Sequence, residues 1–126
     1  MMSLMNHNDF RKGGMVSVWI DDFGSDVELD DYMNLSRIFE QDFGFELNER
    51  DTPETVVKDA PLTIAQLVNG FSWSDSYAAS VVEFAEKQGI AKATTMVVFL
   101  NFVYEPERAT PKEGAPLRFL GAMRFS

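Results

Sequence analysis

The chain reads as an α+β domain: a small antiparallel β-sheet of about three to four strands, with two to three helices packed on one face. Three observations predict it. A β-rich run lies early, at Met15–Ile20; helical periodicities fill the middle; two strand-like runs, 94–104 and 117–125, close the sequence. Strands that follow one another without a helix between them favour antiparallel pairing, and the half-apolar helices need a sheet to cover them. Residues 1–13 read as a flexible leader and residues 14–126 as one domain. A chain of this length buries about two thirds of its unfolded surface around one core.

The elements follow in order. In "MVSVWI" Val16, Val18 and Ile20 share one face, and Met15, Ser17 and Trp19 share the other. Ser25, with Glu28 three residues on, has the form of a capping box, and the acids that follow suit the positive end of a helix dipole. Leu29, Tyr32, Met33, Ser36, Phe39 and Phe43 recur at helical spacing, and Gly44 is a natural stop. From Phe45 to Ala60 charges and turn residues predict a loop with a short extended piece. "PLTIAQLVNG" reads as a short helix or turn. A longer helix then begins at Ser72 or Ser74 as N-cap, buries Tyr77, Ala78, Val81, Val82, Phe84 and Ala85, and ends at Gly89.

Residues 94–104 are apolar on both faces, which marks a central strand. In the last run Leu117, Phe119, Gly121, Met123 and Phe125 alternate with Arg118, Leu120, Ala122 and Arg124, predicting one covered face and one wet, basic face. The proline-rich "EPERATPKEGAP" between the two reads as an exposed excursion.

Composition excludes several function classes. The chain has no cysteine, which removes disulfides, thiolate metal sites and thiol nucleophiles. The first residues lack the apolar core and cleavage site of a signal peptide, and the longest apolar run is too short to span a bilayer as a helix. A cytosolic protein without membrane association is expected. Net charge is −9, and it is unevenly placed: residues 21–59 hold thirteen acids against Arg37, Arg50 and Lys58, while the remainder is close to neutral. Such a field repels nucleic acid and attracts cations or basic proteins.

Catalytic constellations are scarce. The single histidine, His7, falls in the expected leader, and Ser72, Ser74 and Ser76 have no general base beside them. Asp21 and Asp22 follow a strand, where oxygen donors can hold a divalent cation, so a small cation-dependent hydrolase is one reading. Yet "DDFGSDVELDDY" does not fit a calcium loop, because glycine falls at its fourth position and not its sixth. Capping and solvation account for Asp26, Glu28, Asp30 and Asp31. Trp19 reads as core. Trp73, among serines before a helix, reads as a hydrophobic staple or an interface anchor. An acidic interaction module is a further reading.

The ordered set "MVSVWIDDFGSDVELDDY", "DFGFELNE", "LVNGFSWSDSYAASVVEFAEKQGI" and "ATTMVVFLNFVYEP…LRFLGAMRFS" resembles the immunity protein 22 family over roughly Met15 to Phe125. The resemblance implies a bacterial antidote that protects its producer from a polymorphic toxin by binding it. It carries over no catalytic residues and no cofactor. On this reading the partner is a cognate, basic toxin such as a nuclease, and the protein is a monomer or weak homodimer. The expected contact surface is Asp21, Asp22, Asp26, Glu28, Asp30 and Asp31, extended by Glu40, Asp42, Glu49, Asp51 and Trp73.

Overall fold

A computed structural model describes residues 4–48 and 50–125 of the chain. The fold is α+β. Its elements are β1 (Met5–Asn6), a 3-10 turn (His7–Phe10), β2 (Arg11–Asp21), α1 (Asp26–Asp30), a π-helical turn (Asp31–Leu35), α2 (Ile38–Phe43), β3 (Phe45–Glu46) and β4 (Glu54–Thr63). Then come α3 (Ile64–Val68), a 3-10 turn (Ser74–Ser76), α4 (Ala78–Lys87), β5 (Lys92–Phe102), α5 (Pro106–Ala109) and β6 (Arg118–Arg124). The main sheet is antiparallel with order β4-β5-β2-β6, and β1 pairs with β3 in a small parallel ribbon.

The early and late strands form where their β-branched, aromatic and two-sided apolar patterns predict. β5 lies second in the sheet, and Ala93 to Phe99 are all buried. β2 places Val16, Val18 and Ile20 in one core and Trp19 in the other, as the alternation requires. Buried Ser17 is satisfied: its hydroxyl donates to the Phe102 carbonyl and accepts the Tyr104 N–H, each at 2.9 Å.

Helices cover both faces of the sheet, which corrects the expectation of one. The α3–α4 layer packs Ile64, Leu67, Val68, Val81 and Ala85 on the Val16–Val18 side. The opposite side carries α1, α2 and α5, with Leu29, Phe39, Phe43 and Ala109 around Trp19. The physical reason is visible in β5, whose residues are apolar on both faces and so need two covers.

Several local expectations change as well. Residues 5–13 are built into β1, the first 3-10 turn and β2 rather than forming a leader, and both His7 and Phe10 are buried. The stretch after Phe45 supplies β3 and the ten-residue edge strand β4. Neither Ser72 nor Ser74 caps α4, whose N-cap position is Tyr77; the Ser74 hydroxyl donates to the Asn69 carbonyl instead. In β6 a bulge interrupts the alternation. Val18 pairs with Gly121 and Trp19 with Phe119, so Leu117 and Phe119 join the Trp19 side while Leu120 and Met123 join the other. The proline-rich excursion folds back: Ala109 is buried, and the Lys112 N–H donates to the Asp42 carbonyl at 2.8 Å.

Candidate interaction surface

The acidic segment after β2 is the part of the molecule where sequence and structure both concentrate features without a packing purpose. Ser25 caps α1, its hydroxyl accepting the Glu28 N–H at 3.2 Å. Glu28 does not return to Ser25; its carboxylate accepts the Gly24 N–H at 2.9 Å. The single helix expected over this region is broken. After Asp30 the chain widens into the π turn, closed by the Ser36 N–H donating to the Asp31 carbonyl at 2.7 Å. Arg37 then takes a left-handed conformation, φ 54°, before α2 starts afresh.

This broken segment keeps its inner face. Leu29, Tyr32, Met33, Phe39 and Phe43 are buried, as the helical spacing predicts, but Ser36, expected on the same stripe, is exposed because the π turn ends there. Its outer face is acidic and apolar together. Asp26, Glu28, Asp30 and Asp31 are exposed. Beside them Val27 is 75% exposed, Leu35 70% and Ile38 44%. The sequence signal for these aliphatics is their position off the buried stripe.

The other expected site residues fall elsewhere. Asp21 and Asp22 lie at the far end of β2, lining a cleft of about 270 Å³ with Lys92 and Arg118. Asp22 has a structural role after all: its carboxylate accepts the Thr94 N–H at 3.0 Å and so anchors the start of β5. Burial pushes the Asp21 carboxyl above its ordinary value; the Asp22 charge adds to the rise, while a backbone hydrogen bond from Asp22 and the charge of Arg118 oppose it. Among the described residues no three His, Cys, Asp or Glu side chains are grouped to hold a metal ion.

Glu40 and Asp42 are buried and engaged. Glu40 accepts the Leu47 N–H at 2.7 Å and pairs with Arg37 at 3.0 Å. Asp42 accepts the Tyr32 hydroxyl at 2.7 Å, and burial together with that bond pushes the phenol well above its usual range. Asp51 pairs with Arg11 on the side of the first 3-10 turn. Glu49 lies outside the described residues. Trp73 is 66% exposed with φ 62°, its ring 6.3 Å from that of Phe125. It sits in the α3–α4 layer, across the sheet from the acids of α1. The structure therefore brings together Asp26, Glu28, Asp30 and Asp31 and separates the rest.

Sequence reasoning also missed His7. It is 2% exposed against Phe99 and Phe102, and neither ring nitrogen has a hydrogen-bond partner among the described residues. Burial holds its pKa below the ordinary value; the charge of Asp51 pulls the other way, and that of Arg11 adds to the lowering.

No helix among the described residues is long and apolar enough to cross a membrane. No curated protein and no solved structure matches the chain. The family described as immunity protein 22 matches residues 16–126, nearly the whole sequence and the whole four-stranded sheet except the first residues of β2. By that match the chain belongs to the immunity protein 22 family.

Proposed function

We propose that this chain is a non-enzymatic immunity protein, which neutralises a cognate polymorphic toxin in the bacterial cytoplasm by binding it directly. The observation that carries the reading is the family match over residues 16–126. The surface agrees with it. An antidote needs a stable core and a complementary face, and no chemistry of its own. The acids of α1 and the π turn stand exposed with no Lys or Arg between residues 21 and 36, a field that speeds encounter with a basic toxin such as a nuclease.

The cation-dependent hydrolase reading is not favoured. It asks Asp21 and Asp22 to hold an ion without a third acidic or histidine ligand among the described residues, and Asp22 already serves Thr94. The test is co-expression in bacteria with the toxin domain encoded beside this chain. Growth is expected to be restored, and purified toxin and chain are expected to form a complex. Toxicity undiminished by the chain would overturn the proposal.

A further inference from the structure

Resting on that immunity reading, we infer that the toxin docks on the outer ridge of α1 and the π turn, with Val27 and Leu35 as apolar anchors and Asp26, Asp30 and Asp31 as the charged rim. The partner is a protein with a shallow apolar depression bordered by Lys or Arg.

Geometry first. Single exposed aliphatics are ordinary on any surface. Here two are at least 70% exposed on the ten residues of α1 and the π turn, directly opposite the buried Leu29, Tyr32 and Met33. In a regular α-helix Leu35 would be rotated from Val27 by about 80° (100° per residue). The π turn from Asp31 to Leu35 advances less per residue and returns Leu35 towards the line of Val27. Such single wide turns inside helices occur frequently at functional sites. The widening is costly to no packed residue: Tyr32 and Met33, within it, remain buried.

Charge then selects the occupant. Asp30 and Asp31 lie between the two aliphatics in sequence, and Asp26 adjoins Val27. The hydrogen bonds these acids make are with the neutral groups Asn34 and Ser36, at 2.9 and 3.0 Å, so their charges stay uncompensated by any of the ion pairs among the described residues. Anionic membranes and nucleic acids are repelled by such a rim, and a second copy of the same ridge is repelled too. A cationic protein surface satisfies both parts. An apolar centre within a polar rim is also the usual anatomy of a stable interface. Trp73 offers the competing anchor, but it stands across the sheet, away from the acids.

The test measures binding of the purified C-terminal domain of the toxin encoded beside this chain, by surface plasmon resonance. Val27→Ala combined with Leu35→Ala is expected to weaken Kd about tenfold or more, mainly through faster dissociation and equally at high salt. Asp30→Asn combined with Asp31→Asn is expected to slow association and flatten its salt dependence. Trp73→Ala is expected to leave Kd within about twofold, as a residue outside the hot spot does. All these side chains are exposed, and unchanged thermal melting confirms that the variants fold. Hydrogen exchange supplies a second readout, with protection on complex formation expected within residues 26–38.

Failures are distinguishable. Tight binding by both the wild type and the double alanine variant, with no protection at 26–38, overturns the ridge and leaves the immunity reading standing. Loss of binding in Trp73→Ala alone moves the interface to the other face and overturns the ridge. Self-association abolished by Leu35→Ala assigns the ridge to a second copy and overturns it also. No binding by the wild type removes the immunity reading and the ridge together.

Discussion

The two faces of the sheet are built differently. On the α3–α4 side the core is largely aliphatic: Val16, Val18, Ile20, Leu67, Val81, Val98 and Leu120 with two regular helices over them. On the α1–α2 side it is largely aromatic. Trp19 lies at its centre with six ring neighbours, Phe39, Phe43, Phe45, Phe99, Tyr104 and Phe119, at centroid distances from 4.9 to 6.4 Å. The covering elements there are short and irregular, including the π turn, the left-handed Arg37 and the β1–β3 ribbon. Large rings supply burial from few residues, so short elements suffice to hold that layer. The π turn is what brings Leu35 round beside the outward-facing Val27. The aromatic side thus holds the largest buried ring cluster and the candidate surface together.

If the ring cluster dominates stability, Trp19→Ala has the largest effect. It should cost about 3–5 kcal/mol, a large share of the roughly 5–15 kcal/mol that stabilises an ordinary domain. Val81→Ala, buried at the centre of the aliphatic layer, should cost about 2 kcal/mol. Denaturant midpoints of the two variants check this. Equal losses would mean that the two layers contribute alike and that the rings add nothing beyond their area.

The next comparison uses two glycines with nearly the same backbone. Gly44 closes α2 with φ 77° and Gly89 follows α4 with φ 74°. A Cβ at Gly44 would lie 2.2 Å from the Ala109 carbonyl oxygen, whereas one at Gly89 would meet open space. Gly89→Ala should therefore lose only the left-handed penalty of about 1–2 kcal/mol. Gly44→Ala should lose more, because α5 must move away from α2. Thermal melting of the pair reads out how tightly the proline-rich excursion is held on the aromatic side.

Comparable in size is the effect of removing one hydroxyl from each layer. Tyr32→Phe leaves the buried Asp42 carboxylate without the phenol that serves it, a loss of about 1–3 kcal/mol. Tyr77→Phe removes a bond to the Ser72 carbonyl, which is only half-buried, and should lose about 0.5–1.5 kcal/mol. Similar losses in the two variants would show that water reaches Asp42.

The same contrast explains what was legible beforehand. Local signals held: the alternation of β2, the Ser25 cap, the buried stripe from Leu29 to Phe43 and the face of α4 are all encoded within a few residues of one another. Features that depend on a remote partner were not. β1 exists because Met5 meets Phe45, and β4 because Glu54 to Val57 find Thr95 to Val98. The bulge opposite Val18 and Trp19 reverses the faces of β6, and no propensity marks it. Among the candidate site residues, the exposed acids of α1 were placed correctly as a helix start. Glu40 and Asp42 looked like surface acids because the break at Arg37, which turns them inwards onto Leu47 and Tyr32, has no signature in residue type. The burial of His7 has no local signal for the same reason: the Phe99 and Phe102 rings that cover it are about ninety residues away in sequence.

That histidine yields the smallest effect, and one with a definite sign. Burial disfavours the imidazolium, so the folded-state pKa of His7 lies below its unfolded value, about 6.5. As pH falls through that value the unfolded chain takes up a proton before the folded one does. Unfolding then becomes more favourable, and the stability present above about pH 6.5 is progressively lost on acidification. Asp21 acts in the opposite direction and at lower pH: its folded-state pKa is raised, so the folded chain protonates first and gains stability there. Replacing the imidazole by a ring that cannot titrate separates the two. His7→Phe should abolish the loss between about pH 7 and the folded-state pKa of His7, keep the gain due to Asp21, and match or exceed the wild type at neutral pH because two unpartnered nitrogens are removed. Urea midpoints measured across that range test it. A slope that persists unchanged in His7→Phe would place the titrating group elsewhere and would mean that the first 3-10 turn opens readily enough for water to reach His7. In that event the aromatic layer would be closed by α1 and α2 alone, with β1 lying over it as a loose cover.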